Sequence, residues 1–151
     1  MTCPATPPRY LPAGLPAPVA DAVGLSGPYW EGLRTGVLRI QRCVSCGTWQ
    51  FGPEWLCHRC HAFDLAWTDV ASRGRIYSWE RVWHPAHEAL KGHGPYLVVV
   101  VALEHAGDTR MVGNLLGDPL QSVEIGAPVE GVFEAHDDAD VPFTLLQWRR
   151  V

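Results

Sequence analysis

Three features of this sequence predict a mainly β protein: a short N-terminal helix, a two-knuckle ribbon, and then a five-stranded barrel. Two Cys-x-x-Cys pairs, Cys43 with Cys46 and Cys57 with Cys60, are separated by ten residues. Apolar and polar residues alternate with period two in several segments after Gly74. Fifteen glycines and thirteen prolines among 151 residues favour short strands and tight turns over long helices.

Residues 1–25 contain Pro4, Pro7, Pro8, Pro12, Pro16 and Pro18 with few charges, which reads as an extended arm. Residues 26–36 read as a short helix. Ser26 or Gly27 caps it, Pro28 sits where a missing N–H costs nothing, and Gly36 ends it. Tyr29, Trp30 and Leu33 give this helix an apolar side. Two turns are marginal alone, so that side must dock on something; it is the expected partner-binding face.

Residues 37–68 form the ribbon. Val37 to Cys43 alternates as a strand, Thr48 to Phe51 returns beside it, and Pro53 ends the pair before the second knuckle. Trp49 and Phe51 are placed to shield the centre. Residues 69–151 hold five expected strands: Gly74 to Val82, Pro95 to Glu104, Arg110 to Leu116, Val129 to Glu134, and Phe143 to Trp148. Pro95 to Glu104 is apolar nearly throughout, the pattern of a strand buried on both faces. Gly107-Asp108 marks a hairpin turn. Five short strands with one long excursion after the first fit a Greek-key barrel of OB type.

The cysteine pairs carry the clearest chemistry. A two-residue spacer aims both sulfurs of a knuckle at one point, and two facing knuckles complete a tetrahedron with Zn–S bonds of about 2.3 Å. Cys43, Cys46, Cys57 and Cys60 are therefore expected to bind a structural Zn²⁺, with iron the alternative that a four-sulfur site also accepts. Four protein ligands leave no open position for a substrate. His58 and Arg59 place two basic groups beside the thiolates. A redox pair would need only one such motif, and disulfides would need an oxidising compartment. Cys3 is left over as an unpaired thiol.

Net charge is −4. Residues 1–70 balance five basic against five acidic side chains, whereas residues 71–151 carry seven against eleven. An acidic barrel disfavours nucleic acid as partner. The first residues lack a charged segment followed by an apolar run, and the longest apolar run, Tyr96 to Leu103, is too short to span a bilayer. Reduced thiols with zinc point to the cytoplasm, with no membrane contact.

The order of motifs resembles a known family. Pro28-Tyr29-Trp30-Glu31-Gly32-Leu33 is followed by Leu38-x-Ile40-Gln41-Arg42-Cys43-x-x-Cys46-Gly47, Phe51-x-Pro53 and Cys57-x-x-Cys60. Gly74-x-Ile76-Tyr77-Ser78, Pro95-Tyr96 and Ile125-Gly126-x-Pro128-Val129 complete it. Over about residues 26–147 the chain is similar to the acyl-CoA-associated zinc-ribbon/OB-fold proteins known as domain of unknown function thirty-five. The resemblance implies an N-terminal helical hairpin, a rubredoxin-like ribbon and an OB barrel. It also implies a hetero-oligomer with a thiolase-like or other acyl-CoA enzyme (thiolase, acyltransferase, aldolase or hydratase). This chain would stabilise that enzyme and help shape a shared acyl-CoA site. No catalytic residue is carried over.

Other features carry less. His84, His87 and His93 lie in one loop between strands and read first as solvated side chains. Tyr77, Trp79 and Trp83 could stack bases on an OB face, but the acidic barrel favours core or protein contacts. Arg73, Arg75 and Lys91 are scattered cations that could meet a phosphate. Hydrolase, metalloprotease, phosphate-loop and dinucleotide fingerprints are missing from the sequence. Two rival readings remain beside the accessory subunit: a module binding single-stranded nucleic acid, and a stand-alone acyl-CoA-binding protein.

Overall fold

The computed structural model describes residues 9–21 and 23–151; Cys3, Pro4, Pro7 and Pro8 lie outside the described residues. Helix α1 spans Gly27–Arg34. It stops where expected: Gly36 takes φ 75°, its N–H bonds Leu33 O, and Val37 N–H bonds Gly32 O at 2.8 Å. That left-handed glycine cap satisfies two carbonyls the helix cannot pair itself. Among the described residues α1 is the one α-helix, so the helical hairpin implied by resemblance is not found there.

The ribbon is a three-stranded antiparallel sheet of β1 (Leu38–Cys43), β2 (Trp49–Gln50) and β3 (Leu65–Val70), ordered β2-β1-β3. Strand β3 pairs with β1 along its whole length, from Leu38 opposite Val70 to Cys43 opposite Leu65. It is hard to read from sequence because Ala66 and Asp69 blur its alternation.

The barrel comprises β4 (Arg73–Val82), β5 (Tyr96–Leu103), β6 (Thr109–Asn114), β7 (Pro128–His136) and β8 (Phe143–Arg150), ordered β6-β5-β4-β7-β8. Strand β7 returns beside β4, the first strand, as a Greek key requires. The wall nearly closes where Leu115 bridges Trp148 and Leu116 N–H bonds Trp148 O. Gly74 lets β4 cross β5 closely: a Cβ there would lie 2.4 Å from Ala102 O. Strand β5 is buried on one face only. Leu97, Val99, Val101 and Leu103 are fully enclosed, while Tyr96, Val98, Val100 and Ala102 are half-exposed on the outer wall. A single-layer barrel wall has only one side facing the core, which overrides the run's uniform apolarity.

Helix, ribbon and barrel share one core. Leu33 of α1 with Leu38 and Ile40 of β1 pack in the same cluster as Ile76, Val99, Met111, Leu146 and Trp148 of the barrel. Trp49 reaches the β5–β6 turn, its Cγ 3.3 Å from where a Cβ on Gly107 would be. Trp49 and Phe51 thus pack against the shared core instead of acting only as a cover for the metal. The arm is also held. Tyr10 N–H bonds Glu134 Oε2 at 3.0 Å, Leu97 N–H bonds Tyr10 Oη at 3.1 Å, and Arg9 pairs with Asp138. Residues 9–18 therefore lie across β7 and β8 as a strap.

Candidate metal centre and partner surfaces

Strand β1 ends at Cys43, and Gly47 N–H bonding Cys43 O at 2.9 Å turns the chain so that Cys46 meets it. The second knuckle repeats the turn, with His61 N–H bonding Cys57 O at 2.9 Å. All four sulfurs lie within 4.8 Å of one another, with Cys43–Cys60 and Cys46–Cys57 both at 3.6 Å. A tetrahedron of 2.3 Å Zn–S bonds has edges of about 3.8 Å, so the sulfurs fit one metal ion with all four as ligands. Among the described residues no other group of three or more potential ligands converges in this way.

The thiols feel each other. Cys46 is pulled down to about 6, first by hydrogen bonding to the Thr48 hydroxyl, 3.1 Å away, and then to the Thr48 backbone. Cys57 is also lowered, chiefly through the Cys60 backbone. For Cys60 the largest contribution, the Ala62 N–H, pulls down, yet the crowding thiols led by Cys46 win and push it up to about 12. Four sulfurs in so small a volume cannot all ionise without a cation among them, and a divalent ion removes that conflict. The side chains of His58 and Arg59 are exposed; it is the Arg59 N–H that reaches Cys57 Sγ, at 3.4 Å.

Two buried glutamines, not anticipated from sequence, hold the second knuckle. Gln41 Oε1 accepts from Glu54 N–H at 2.9 Å and from Gln50 Nε2 at 3.2 Å. Gln50 in turn bonds Leu56 O and accepts from His58 N–H. Residues 54–58, which carry Cys57, are thereby tied to β1 and β2. The available signal was a pair of glutamines on facing strands, whose burial only the fold reveals.

The expected docking face of α1 turns inward. Leu33 is 1% exposed and sits in the shared core. Tyr29 packs on Trp30 and Phe51 with ring centroids 5.3 and 5.2 Å apart, and burial pushes its phenol up to about 12. A two-turn helix has to bury its apolar face, and this one finds its own ribbon and barrel. The aromatics that remain outside are others. Trp55 and Phe63, near the second knuckle, are 70% and 79% exposed. Tyr77, Trp79 and Trp83 are exposed along and beyond β4, Tyr77 lying beneath the Arg110 guanidinium at 3.6 Å. They are surface residues, not barrel core.

His84, His87 and His93 are exposed and do not converge; His87 Nδ1 accepts from Ala89 N–H. Arg75 is paired with Glu104, and Lys91 with Glu88. Among the described residues no helix is long and apolar enough to cross a membrane.

Comparison with known proteins adds to this geometry. Residues 30–66 match the family described as "ChsH2, rubredoxin-like zinc ribbon domain", and residues 67–134 match "ChsH2, C-terminal OB-fold domain". The solved structure "Ltp2-ChsH2(DUF35) aldolase" contains a chain 32% identical to this one. The likeness covers 89% of this chain and 98% of that one, with a TM-score of 0.72. A DUF35 protein of unknown function from Sulfolobus solfataricus, 13% identical, shares the fold with a TM-score of 0.59 over 87% of this chain and 89% of that one. A "Probable enoyl-CoA hydratase alpha subunit" from Thermomonospora curvata is 36% identical over 109 residues, 72% of this chain. This chain spans only 33% of that curated relative.

Proposed function

This chain belongs to the ChsH2 family of zinc-ribbon and OB-fold proteins, and from that premise we propose that it is a non-catalytic subunit of an acyl-CoA-processing enzyme of thiolase type. The observation carrying the proposal is its likeness, across nearly a whole chain, to the ChsH2 component of an aldolase complex. The metal centre supports it. Cys43, Cys46, Cys57 and Cys60 would hold zinc, or iron, as a closed set of four, so the ion would supply folding free energy without an open position for substrate.

The subunit stabilises its partner enzyme and helps shape the acyl-CoA site there. Docking uses the exposed aromatics of ribbon and barrel, because the aromatic side of α1 is spent on the shared core. Nucleic acid is not the partner: the barrel is acidic, and a single-strand groove would need a continuous positive surface. The reduced thiols of the metal centre suit a cytoplasmic setting.

Co-expression with a thiolase-like acyl-CoA enzyme tests the proposal, with co-elution at a fixed ratio expected. Separate elution under conditions where both are folded overturns it. The likeness to part of a hydratase alpha subunit favours a second reading, in which the partner is an enoyl-CoA hydratase. Co-elution with the hydratase instead of the thiolase-like enzyme would select that one.

A further inference from the structure

Beneath the strap lies a cavity of about 350 Å³ with no role in the metal centre or the proposed docking surfaces. Its size falls at the lower end of the range for small-molecule sites. Leu11 and Leu15 of the strap and Phe143 and Leu145 of β8 supply apolar walls. Polar groups come from facing strands. Glu134 is opposite Leu145 in the β7–β8 register and His136 is opposite Phe143, so their side chains share one face of the sheet.

The hydrogen bonds on that face are nearly complete, and the incompleteness is informative. Glu134, 6% exposed, has both oxygens engaged, one by Tyr10 N–H and the other by His136 Nε2 at 2.7 Å. Gln147, 3% exposed, accepts from Asn114 N–H through Oε1 at 2.8 Å. Its Nε2 has no partner among the described residues. Asn114 donates through Nδ2 to Leu97 O at 3.1 Å, which fixes the orientation of its amide. Its Oδ1 also has no partner among the described residues. One free amide donor and one free carbonyl acceptor, on neighbouring side chains, thus line the cavity, where the charged side chains Arg9, Glu134 and His136 are already paired.

We propose that this cavity is a binding site for an uncharged secondary amide on a short aliphatic chain. The ligand's carbonyl accepts from Gln147 Nε2, its N–H donates to Asn114 Oδ1, and its chain lies against Leu145, Phe143 and the strap. A carboxylate is disfavoured because the two basic side chains of the lining are already taken, Arg9 by Asp138 and His136 by Glu134, so its charge would go uncompensated. An ester of the same shape lacks the N–H and leaves Asn114 Oδ1 without its bond. The site needs neither the metal nor the partner enzyme, so it stands or falls apart from the proposed function.

The test is titration of the full, metal-loaded, isotope-labelled chain with N-butylacetamide, butyl acetate and pentanoate, followed by nuclear magnetic resonance. The expected result is a saturable shift of the Asn114 and Gln147 side-chain amide signals with N-butylacetamide, with roughly millimolar affinity for so small a ligand. Butyl acetate should bind roughly tenfold more weakly, and pentanoate more weakly still. Leu145→Trp, which fills the cavity, should abolish the shifts. If that variant misfolds, the three-ligand comparison on the unaltered chain decides alone. No saturable shift at Asn114 and Gln147, an ester equal to the amide, or a preferred carboxylate would each overturn the proposal.

Discussion

Gln50 Nε2 donates to Gln41 Oε1 at 3.2 Å across the β1–β2 pair, with both residues almost wholly buried. The two amides also bond the backbone at Glu54, Leu56 and His58, so the loop entering the second knuckle is held by bonds that do not involve the metal-binding sulfurs. Gln50→Ala leaves Gln41 Oε1 with one partner fewer and His58 N–H unpaired. Such losses cost about 1–3 kcal/mol in stability. Urea unfolding should show that loss, and a colorimetric chelator should strip metal from the variant faster. A variant as stable and as slow to release metal as the parent would show that the pair is incidental.

Because Leu38 and Ile40 of the ribbon share the barrel's core, metal loss should not melt the ribbon alone. Cys46→Ala, or chelation, is expected to lower the midpoint of a single unfolding transition for the whole chain. Calorimetry checks this. Two separate transitions would mean that ribbon and barrel are energetically independent. Metal analysis of protein purified without chelator should find about one zinc or iron per chain.

Without a metal, hydrogen bonding to Thr48 pulls the Cys46 thiol down to about 6, while the neighbouring thiols push Cys60 up to about 12. At neutral pH the first is mainly thiolate and the second remains a thiol. Iodoacetamide should therefore modify Cys46 well before Cys60, the thiolate being the nucleophile. As pH falls through 6, Cys46 gains its proton and its alkylation slows; Thr48→Val should move that midpoint upward. Peptide mapping by mass spectrometry reads both effects. Equal rates at the two cysteines, or a Cys46 midpoint in the range of an ordinary thiol, would contradict the assigned hydrogen bonds.

The local features were readable from the chain. Cysteine spacing located both knuckles, Gly36 marked the helix end, and alternation in Gly74 to Val82 found β4. What escaped depends on contacts between distant residues. The pairing of β3 with β1 is set by tertiary register, since its own alternation is weak. The side chains of Gln41 and Gln50 acquire meaning only once both are buried opposite each other. For α1, amphipathicity was legible but its target was not: Leu33 met the chain's own core where a partner was expected.

Gly74 offers a check on the barrel crossing. A methyl group there would sit 2.4 Å from Ala102 O and 2.6 Å from Val101 Cγ1. Gly74→Ala should destabilise the chain by about 1–3 kcal/mol, as overpacking does. Denaturant titration measures it, and an unchanged midpoint would mean that β4 and β5 separate easily. Leu33→Ala should cost about 2–5 kcal/mol in the isolated chain, without any partner present. A loss seen only in partner binding would restore the docking role.

Turnover of a co-eluting thiolase-like enzyme on an acyl-CoA substrate, measured with increasing amounts of this metal-loaded chain, tests the proposed accessory role most directly. Turnover should rise with added chain and saturate at a fixed ratio. This chain alone should give no turnover. An enzyme equally active and equally stable without it would contradict the account.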